Sequence, residues 1–359
     1  MINLSDILIS GYYGFKNSGD DALLLAILHD LKEQKPDIKT VVLSKSPKET
    51  SRLYNVKAVD RLNPFSVIFN MMKTKMLISG GGTLIQDRTS TKSLMYYLFI
   101  IRCAHFFGKK IMLYANGIGP LVNEKNRRVT AKTLNMADVI TLRDADSEKE
   151  LRSLGVDKPV IKVTADPAFN LECKKAEKKE KKACISVRSW NGVGNDFTDA
   201  VAKAADYLID RYGYKVVFLP MQPAKDLIIS GEIMGRMKNK SVCVKDNLSV
   251  EKMLSAVSET DLCIGMRLHS LIYAASNALP IIGLVYDPKI AGFMDYIGQN
   301  MYIDTKTVTF EDLKEMIDKC EENRDEIIKM LEAKLAELKE KAKYNAVCAV
   351  ELLEGGTVS

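Results

Sequence analysis

Asp261-Leu262-Cys263-Ile264-Gly265-Met266-Arg267-Leu268-His269-Ser270-Leu271-Ile272-Tyr273-Ala274-Ala275-Ser276-Asn277 reads as a strand, a turn and a helix. Residues 261–264 are a short apolar run of strand type, and residues 271–277 have helical character. Gly265 to Ser270 therefore spans a strand end and a helix start. In open α/β sheets ligands bind at the carboxyl ends of strands, and helix N-termini favour anions. Arg267, His269 and Ser270 bring a fixed charge, a titratable ring and a hydroxyl to that place. The next strand, residues 281–285, runs into Tyr286-Asp287-Pro288-Lys289, which puts Lys289 past the neighbouring strand end. An Arg, a His and a Lys on adjacent strand ends predict a small pocket for a compact polyanion. Taken singly, Arg267 also reads as a structural ion pair and His269 as a buried imidazole. Their joint placement on loops favours a site.

Outward from this stretch, strands alternate with helices along the chain. Strand-type runs fall at 6–10, 40–43, 56–59, 75–79, 110–115, 138–142 and 160–163, and again at 183–187 and 215–219. Such alternation implies parallel sheets covered on both faces, a doubly wound α/β class. The chain has 359 residues, which fits two domains better than one core. A lysine-rich run at 174–182 separates the two alternating patterns and reads as a linker. The expected domains are residues 1–172 and 183–359, with a long charged helical region from 310 to 353 closing the second.

Composition narrows the function classes. Net charge is +6, but no basic face interleaved with aromatics and no known nucleic-acid module is present, so nucleic acid is not an expected partner. The basic balance suits an anionic substrate or a membrane surface. Seven scattered cysteines with no C-x-x-C pair point to reduced thiols and a cytoplasmic setting. The first residues lack a basic segment followed by an apolar one, so no signal peptide is expected. The longest apolar run, residues 94–101, is too short to span a bilayer and reads as a core helix. Membrane contact, where present, is expected to be peripheral, through basic surface and the Tyr96-Tyr97 region.

The first strand runs into a glycine-rich loop with glycines at 11, 14 and 19. The spacing fits neither G-x-G-x-x-G nor a Walker motif. Asp20 and Asp21 close this loop. They read either as helix caps or as a carboxylate that takes a proton from a substrate hydroxyl. Gly80-Gly81-Gly82 follows another strand and permits either a tight turn or close backbone approach to a ligand. Arg143 stands at a strand end, as Arg267 does. Beside it Asp144-Ala145-Asp146 has the D-x-D form used by metal-dependent sugar transferases, but acidic residues here suit the first turn of a helix better.

With these residues placed, the chain resembles the polysaccharide pyruvyl transferase family, in particular its CsaB-like members of cell-wall polymer synthesis. The matching stretches are Gly11-Tyr12-Tyr13-Gly14-Phe15 with Asn17 and Gly19-Asp20, then Ser79-Gly80-Gly81-Gly82, Gly117-Ile118-Gly119-Pro120, Leu142-Arg143-Asp144, Asp166-Pro167 and Gly265-Met266-Arg267-Leu268-His269. The last is the most specific. The resemblance implies two Rossmann-like domains facing a cleft, as in GT-B glycosyltransferases. It implies phosphoenolpyruvate as donor and a glycan, often lipid-linked, as acceptor, at the inner face of the cell membrane. The family's donor-site Arg, His and Lys carry over onto Arg143, His269 and Lys289, with Arg267 and Ser270 as further candidate donor contacts. Candidate acceptor contacts are Tyr13, Asn17, Asp20, Gly81 and Gly82. No metal or cofactor is expected. Two other readings stay open: a nucleotide-sugar glycosyltransferase using Asp287 or Asp295 on the ribose, and a non-catalytic sugar-binding scaffold.

Overall fold

The computed structural model describes residues 5–172, 180–190, 194–356 and 358. Most of the expected linker, with Cys173, lies outside the described residues. So do Asn191 and Gly192. The chain forms two compact units: Met1–Leu171 with Leu338–Ser359, and Glu172–Glu337.

In the first unit the strands are β1 (Ser5–Ser10), β2 (Thr40–Ser44), β3 (Lys57–Asp60), β4 (Thr74–Ser79), β5 (Gly82–Ile85), β6 (Lys110–Ile118), β7 (Val139–Leu142) and β8 (Val160–Val163). Their order is β3-β2-β1-β4-β6-β7-β8, with β5 alongside β6, and every pair is parallel. The central strands are near-continuous apolar runs because both faces are covered. Leu8, Leu77, Ile111 and Ile140 pack into one core. Ile7, Ile9, Met76, Ile78, Met112 and Val139 pack into the other.

The second unit has β9 (Lys182–Ser186), β10 (Lys215–Phe218), β11 (Val242–Cys243), β12 (Leu262–Gly265), β13 (Ile281–Val285) and β14 (Tyr302–Asp304). They are parallel in the order β11-β10-β9-β12-β13-β14. Counted within the unit this is 3-2-1-4-5-6, the Rossmann order, whose direction reverses between its first and fourth strands. The first unit reverses in the same way between β1 and β4. Both units are thus doubly wound α/β folds of Rossmann type.

Three sequence expectations change. Residues 338–359 join the first unit rather than the second, because Ala346, Cys348, Ala349 and Leu352 of the helix Arg324–Glu354 are buried in the same core as Ile7 and Ile9. Asn345, fully buried on that helix, donates to the Ala165 carbonyl and accepts from the Thr164 hydroxyl. The third glycine of Gly80-Gly81-Gly82 begins strand β5 instead of prolonging a turn. Tyr96 and Tyr97 face inward, not outward. Tyr97 is buried, Tyr96 donates to the Arg61 carbonyl at 3.2 Å, and the Arg61 guanidinium lies over both rings.

Candidate active site

Each unit offers its reversal point as a ligand site. In the second unit the loops leaving β9, β12 and β13 meet there. β12 ends at Gly265, where a side chain would collide with Leu271 and Ser270, at 2.3 and 2.8 Å. The missing side chain lets the helix Leu268–Ser276 start directly against the strand. Arg267 is the residue before that helix. Its Nε donates to Asp226 at 3.1 Å and a second guanidinium nitrogen bonds the other carboxylate oxygen. Asp226 has no exposed surface and also accepts the Gln222 backbone N–H at 2.9 Å. Arg267 therefore ties the turn to the helix Pro223–Met234 through a buried bidentate pair. Ser270 is buried too, and its hydroxyl donates to the Arg267 carbonyl at 2.6 Å. That closes the first helical turn and leaves the hydroxyl facing the strand, so its geometry is that of a helix brace.

His269 is half-buried one residue inside the helix, with its ring 6.4 Å from that of Tyr273. Lys289 sits in the first turn of the helix Pro288–Tyr296, which Asp287 caps by accepting the Lys289 backbone N–H at 3.2 Å. The Lys289 ammonium lies 5.5 Å from the Tyr286 ring. Arg188, just past β9, donates to the Tyr286 hydroxyl at 3.1 Å, and its guanidinium lies over both Trp190 and Tyr286. Trp190 and Tyr286 meet edge to face at 5.0 Å. Tyr286 reports the local field. Burial raises its phenol, but the charges of Lys289, Arg188 and Arg267 outweigh burial and hold it below the ordinary value. Three strand ends thus converge on a locally positive place, next to a helix N-terminus and an imidazole. That is a setting for a small polyanion and for a proton transfer.

In the first unit the loops after β1 and β4 meet. Tyr13 is fully buried between Gly11 and Gly80; a Cβ on Gly80 would lie 2.0 Å from its hydroxyl, and one on Gly11 would lie 2.3 Å from its ring. Tyr13 thus fills the floor of the loops. Asn17 caps the helix Ser18–Gln34 and its amide donates to Asp20. A Cβ on Gly82 would lie 3.4 Å from an Asp20 carboxylate oxygen, and one on Gly81 would touch Leu23. Gly81, Gly82 and Asp20 therefore border one another, while Asp21 faces Glu49 and Tyr54 of the helix Pro47–Tyr54. The Asp21 carboxyl is pushed up to about 7 by burial and by Glu49, against a hydrogen bond from Tyr54. Asn116, fully buried on β6, donates to the carbonyls of Ser79 and Gly80 at 3.2 and 2.8 Å and fixes the glycine loop.

Arg143 follows β7 and is 7% exposed. It donates to Thr83 at 3.0 Å and to Asp144 at 3.2 Å, with Asp166 at 3.9 Å. Gly117 is small because a Cβ there would lie 2.8 Å from the guanidinium. Asp144 caps the helix Ala145–Ser153 by accepting the Ser147 N–H at 2.7 Å, and Asp146 pairs with Lys149. The D-x-D is therefore a helix start. Of the residues singled out in the sequence, the second unit brings Arg267, His269, Ser270 and Lys289 together. The first unit brings Tyr13, Asn17, Asp20, Gly81 and Gly82 together and holds Arg143 beside β5. Sequence reasoning missed Arg188 and Tyr286. Both stand at strand ends, the rule that picked out Arg267, so the signal was present in the chain.

The model of the family described as polysaccharide pyruvyl transferase matches residues 17–288. The chain belongs to the polysaccharide pyruvyl transferase family. No curated protein sequence matches it. Solved structures with the same fold include Staphylococcus aureus MnaA in complex with UDP, at 13% identity, covering 99% of this chain and 98% of that one, with a TM-score of 0.70. Anabaena Alr3699/HepE in complex with UDP-glucose matches at 13% identity, 98% and 99% coverage and TM-score 0.67. A glycosyltransferase from Rickettsia africae matches at 13% identity, 98% of both chains and TM-score 0.63. These likenesses place this pyruvyl transferase family member in the GT-B fold class. The family match indicates an enzyme that modifies a glycan.

Proposed function

We propose that this enzyme transfers a pyruvyl group from phosphoenolpyruvate to a sugar of a lipid-linked cell-wall polysaccharide precursor, in the cytoplasm, as its CsaB-like resemblance implies. The observation that carries the reading is the pair of cations Arg188 and Lys289 around Tyr286, beside His269 on the turn that Arg267 braces. Phosphoenolpyruvate puts a carboxylate and a phosphate on one small frame. By the resemblance, Arg143 and Lys289 are the donor contacts for these groups, Arg as a planar fork and Lys as a point charge. Arg267 holds the turn that aims His269.

The reaction requires three events. A sugar hydroxyl oxygen bonds to the enol carbon that bears phosphate, the methylene takes up a proton to become a methyl group, and a second hydroxyl displaces phosphate from the same carbon. The products are a cyclic pyruvate ketal and inorganic phosphate. His269 delivers or collects the proton near neutral pH. Asp20 or Asp21 takes the proton of the attacking hydroxyl. Tyr13, Asn17, Gly81 and Gly82 shape the acceptor side.

A nucleotide-sugar reading is favoured by the UDP and UDP-glucose bound in two structural neighbours. Against it, Asp287 caps its own helix and Asp295 accepts the Tyr302 hydroxyl at 2.8 Å. The test is incubation with phosphoenolpyruvate or UDP-sugars and lipid-linked disaccharides, read by mass spectrometry. A pyruvyl mass gain with phosphate release is expected; hexosyl transfer would overturn the reading. Arg143→Ala should weaken donor binding by roughly 1.5–3 kcal/mol. His269→Ala should slow single turnover roughly 10²–10⁴-fold with a smaller loss of donor affinity. The reverse order would refute these roles.

A further inference from the structure

On the first unit, the helices Pro64–Met72 and Thr91–Phe106 carry apolar side chains on their solvent side. Phe65, Ile68, Phe69 and Met72 recur at the spacing of one helix face, as do Met95, Phe99, Arg102 and Phe106. Phe65 is 84% exposed and Phe106 81% exposed, with Phe69, Met72 and Phe99 each about half exposed. Ile68, Met95, Phe99, Phe106 and Val129 line an open groove of about 470 Å³ where these helices meet the helix Glu124–Leu134. Exposed aromatic and aliphatic side chains gathered in this way mark a contact surface.

Charge identifies what the surface contacts. Between Arg61 and Asn123 the chain has eight Lys or Arg and one acid, Asp87. That segment carries a formal +7, against +6 for the whole chain, although Arg61 is buried, Lys75 pairs with Asp6 and Lys110 lies 3.9 Å from Asp138. Three of these cations border the apolar face. The Lys73 ammonium lies 3.9 Å from the Phe69 ring, Arg102 lines the groove, and Lys109 donates to the Met72 carbonyl at 3.0 Å. Neither helix contains an Asp or Glu. Exposed rings between cations, on two helices that carry no acid, match the polar-apolar boundary of a bilayer with anionic headgroups. No helix among the described residues is long and apolar enough to cross a membrane, so the contact lies along the surface.

We propose that this face docks on an anionic lipid surface, with Phe65, Phe69, Phe99 and Phe106 entering the acyl boundary and Lys73, Arg102 and Lys109 meeting the headgroups. The groove then receives part of an acyl chain. The inference stands on surface chemistry alone and does not depend on the donor reading.

The test is co-sedimentation of the full chain with phosphatidylglycerol–phosphatidylcholine vesicles and with pure phosphatidylcholine vesicles. Binding to the anionic vesicles is expected, weakened by salt. Phe65→Ser with Phe106→Ser should weaken it about tenfold per ring. Arg102→Gln with Lys109→Gln should weaken it about fivefold per cation. Circular dichroism should show each variant folded, and turnover of a water-soluble acceptor should be unchanged. Absence of wild-type binding to anionic vesicles would overturn the proposal, as would unchanged binding of either double variant. A concentration-dependent dimer in sedimentation velocity, abolished by the Phe65→Ser and Phe106→Ser pair, would assign the face to a second copy and would also overturn it.

Discussion

Asp226→Ala would remove the fully enclosed carboxylate that faces Arg267. Two charge-assisted hydrogen bonds from the guanidinium and one from the Gln222 backbone would disappear, and a guanidinium 9% exposed would be left without its counter-charge. Breaking one side of such a buried pair costs about 3–5 kcal/mol. For a unit of this size that lowers the melting temperature by about 6–20 °C. The single tryptophan, Trp190, lies in the second unit against Tyr286, so its fluorescence in urea isolates the relevant transition. The double variant Asp226→Leu with Arg267→Met removes both charges at once. It should recover most of the loss, ending within about 1–2 kcal/mol of the native chain, because neither ion is stranded. An Asp226→Ala chain within 1 kcal/mol of native, or a double variant as unstable as the two single losses added, would refute the bracing role assigned to Arg267.

Two further outcomes follow from the first unit. Asp21 holds its proton up to about pH 7, whereas in the unfolded chain it releases it near 3.8. The folded state thus binds the extra proton between these values, and stability falls as pH rises through that window. Asp21→Asn should therefore be about 1–3 kcal/mol more stable than native at pH 8 and equal to it below pH about 4 in thermal melts followed by circular dichroism; a stabilisation greater at acid pH would contradict this. Gly80→Ala should cost about 1–3 kcal/mol by collision with the Tyr13 hydroxyl, and Tyr13→Phe should relieve it. The same Tyr13→Phe should not relieve Gly11→Ala, whose new methyl meets ring carbons at 2.3 and 2.4 Å. Equal rescue of both in urea titrations would show that the ring is not wedged between the two glycines.

The strands were legible because parallel strands buried on both faces read as plain apolar runs; β1, β7, β8 and β13 fall within a residue of the runs seen in the chain. β11 and β14 escaped because edge strands of two and three residues carry no such run. β5 escaped because Gly82, its first residue, reads as a turn; its partner is the distant β6. The strand-end rule located Arg143, Arg267, His269 and Lys289, since the element that places each is local. It did not distinguish a residue facing a ligand from one facing the protein. Arg267 and Ser270 are tied to Asp226 and to a backbone carbonyl, partners 41 and three residues away respectively. The allegiance of the terminal helix was likewise not local, because the core that receives Ala346 and Ala349 is built by Ile7 to Val139, more than 200 positions earlier.

That helix gives synthesis a particular order. Once residue 337 has emerged from the ribosome, the second unit is complete and can close. The first unit, begun much earlier, still lacks Cys348, Ala349 and Leu352 on the face shared by Ile7 and Ile27. The part translated first is therefore completed last. Until residues 338–356 emerge, that apolar face is open to whatever binds exposed hydrophobic surface on a nascent chain.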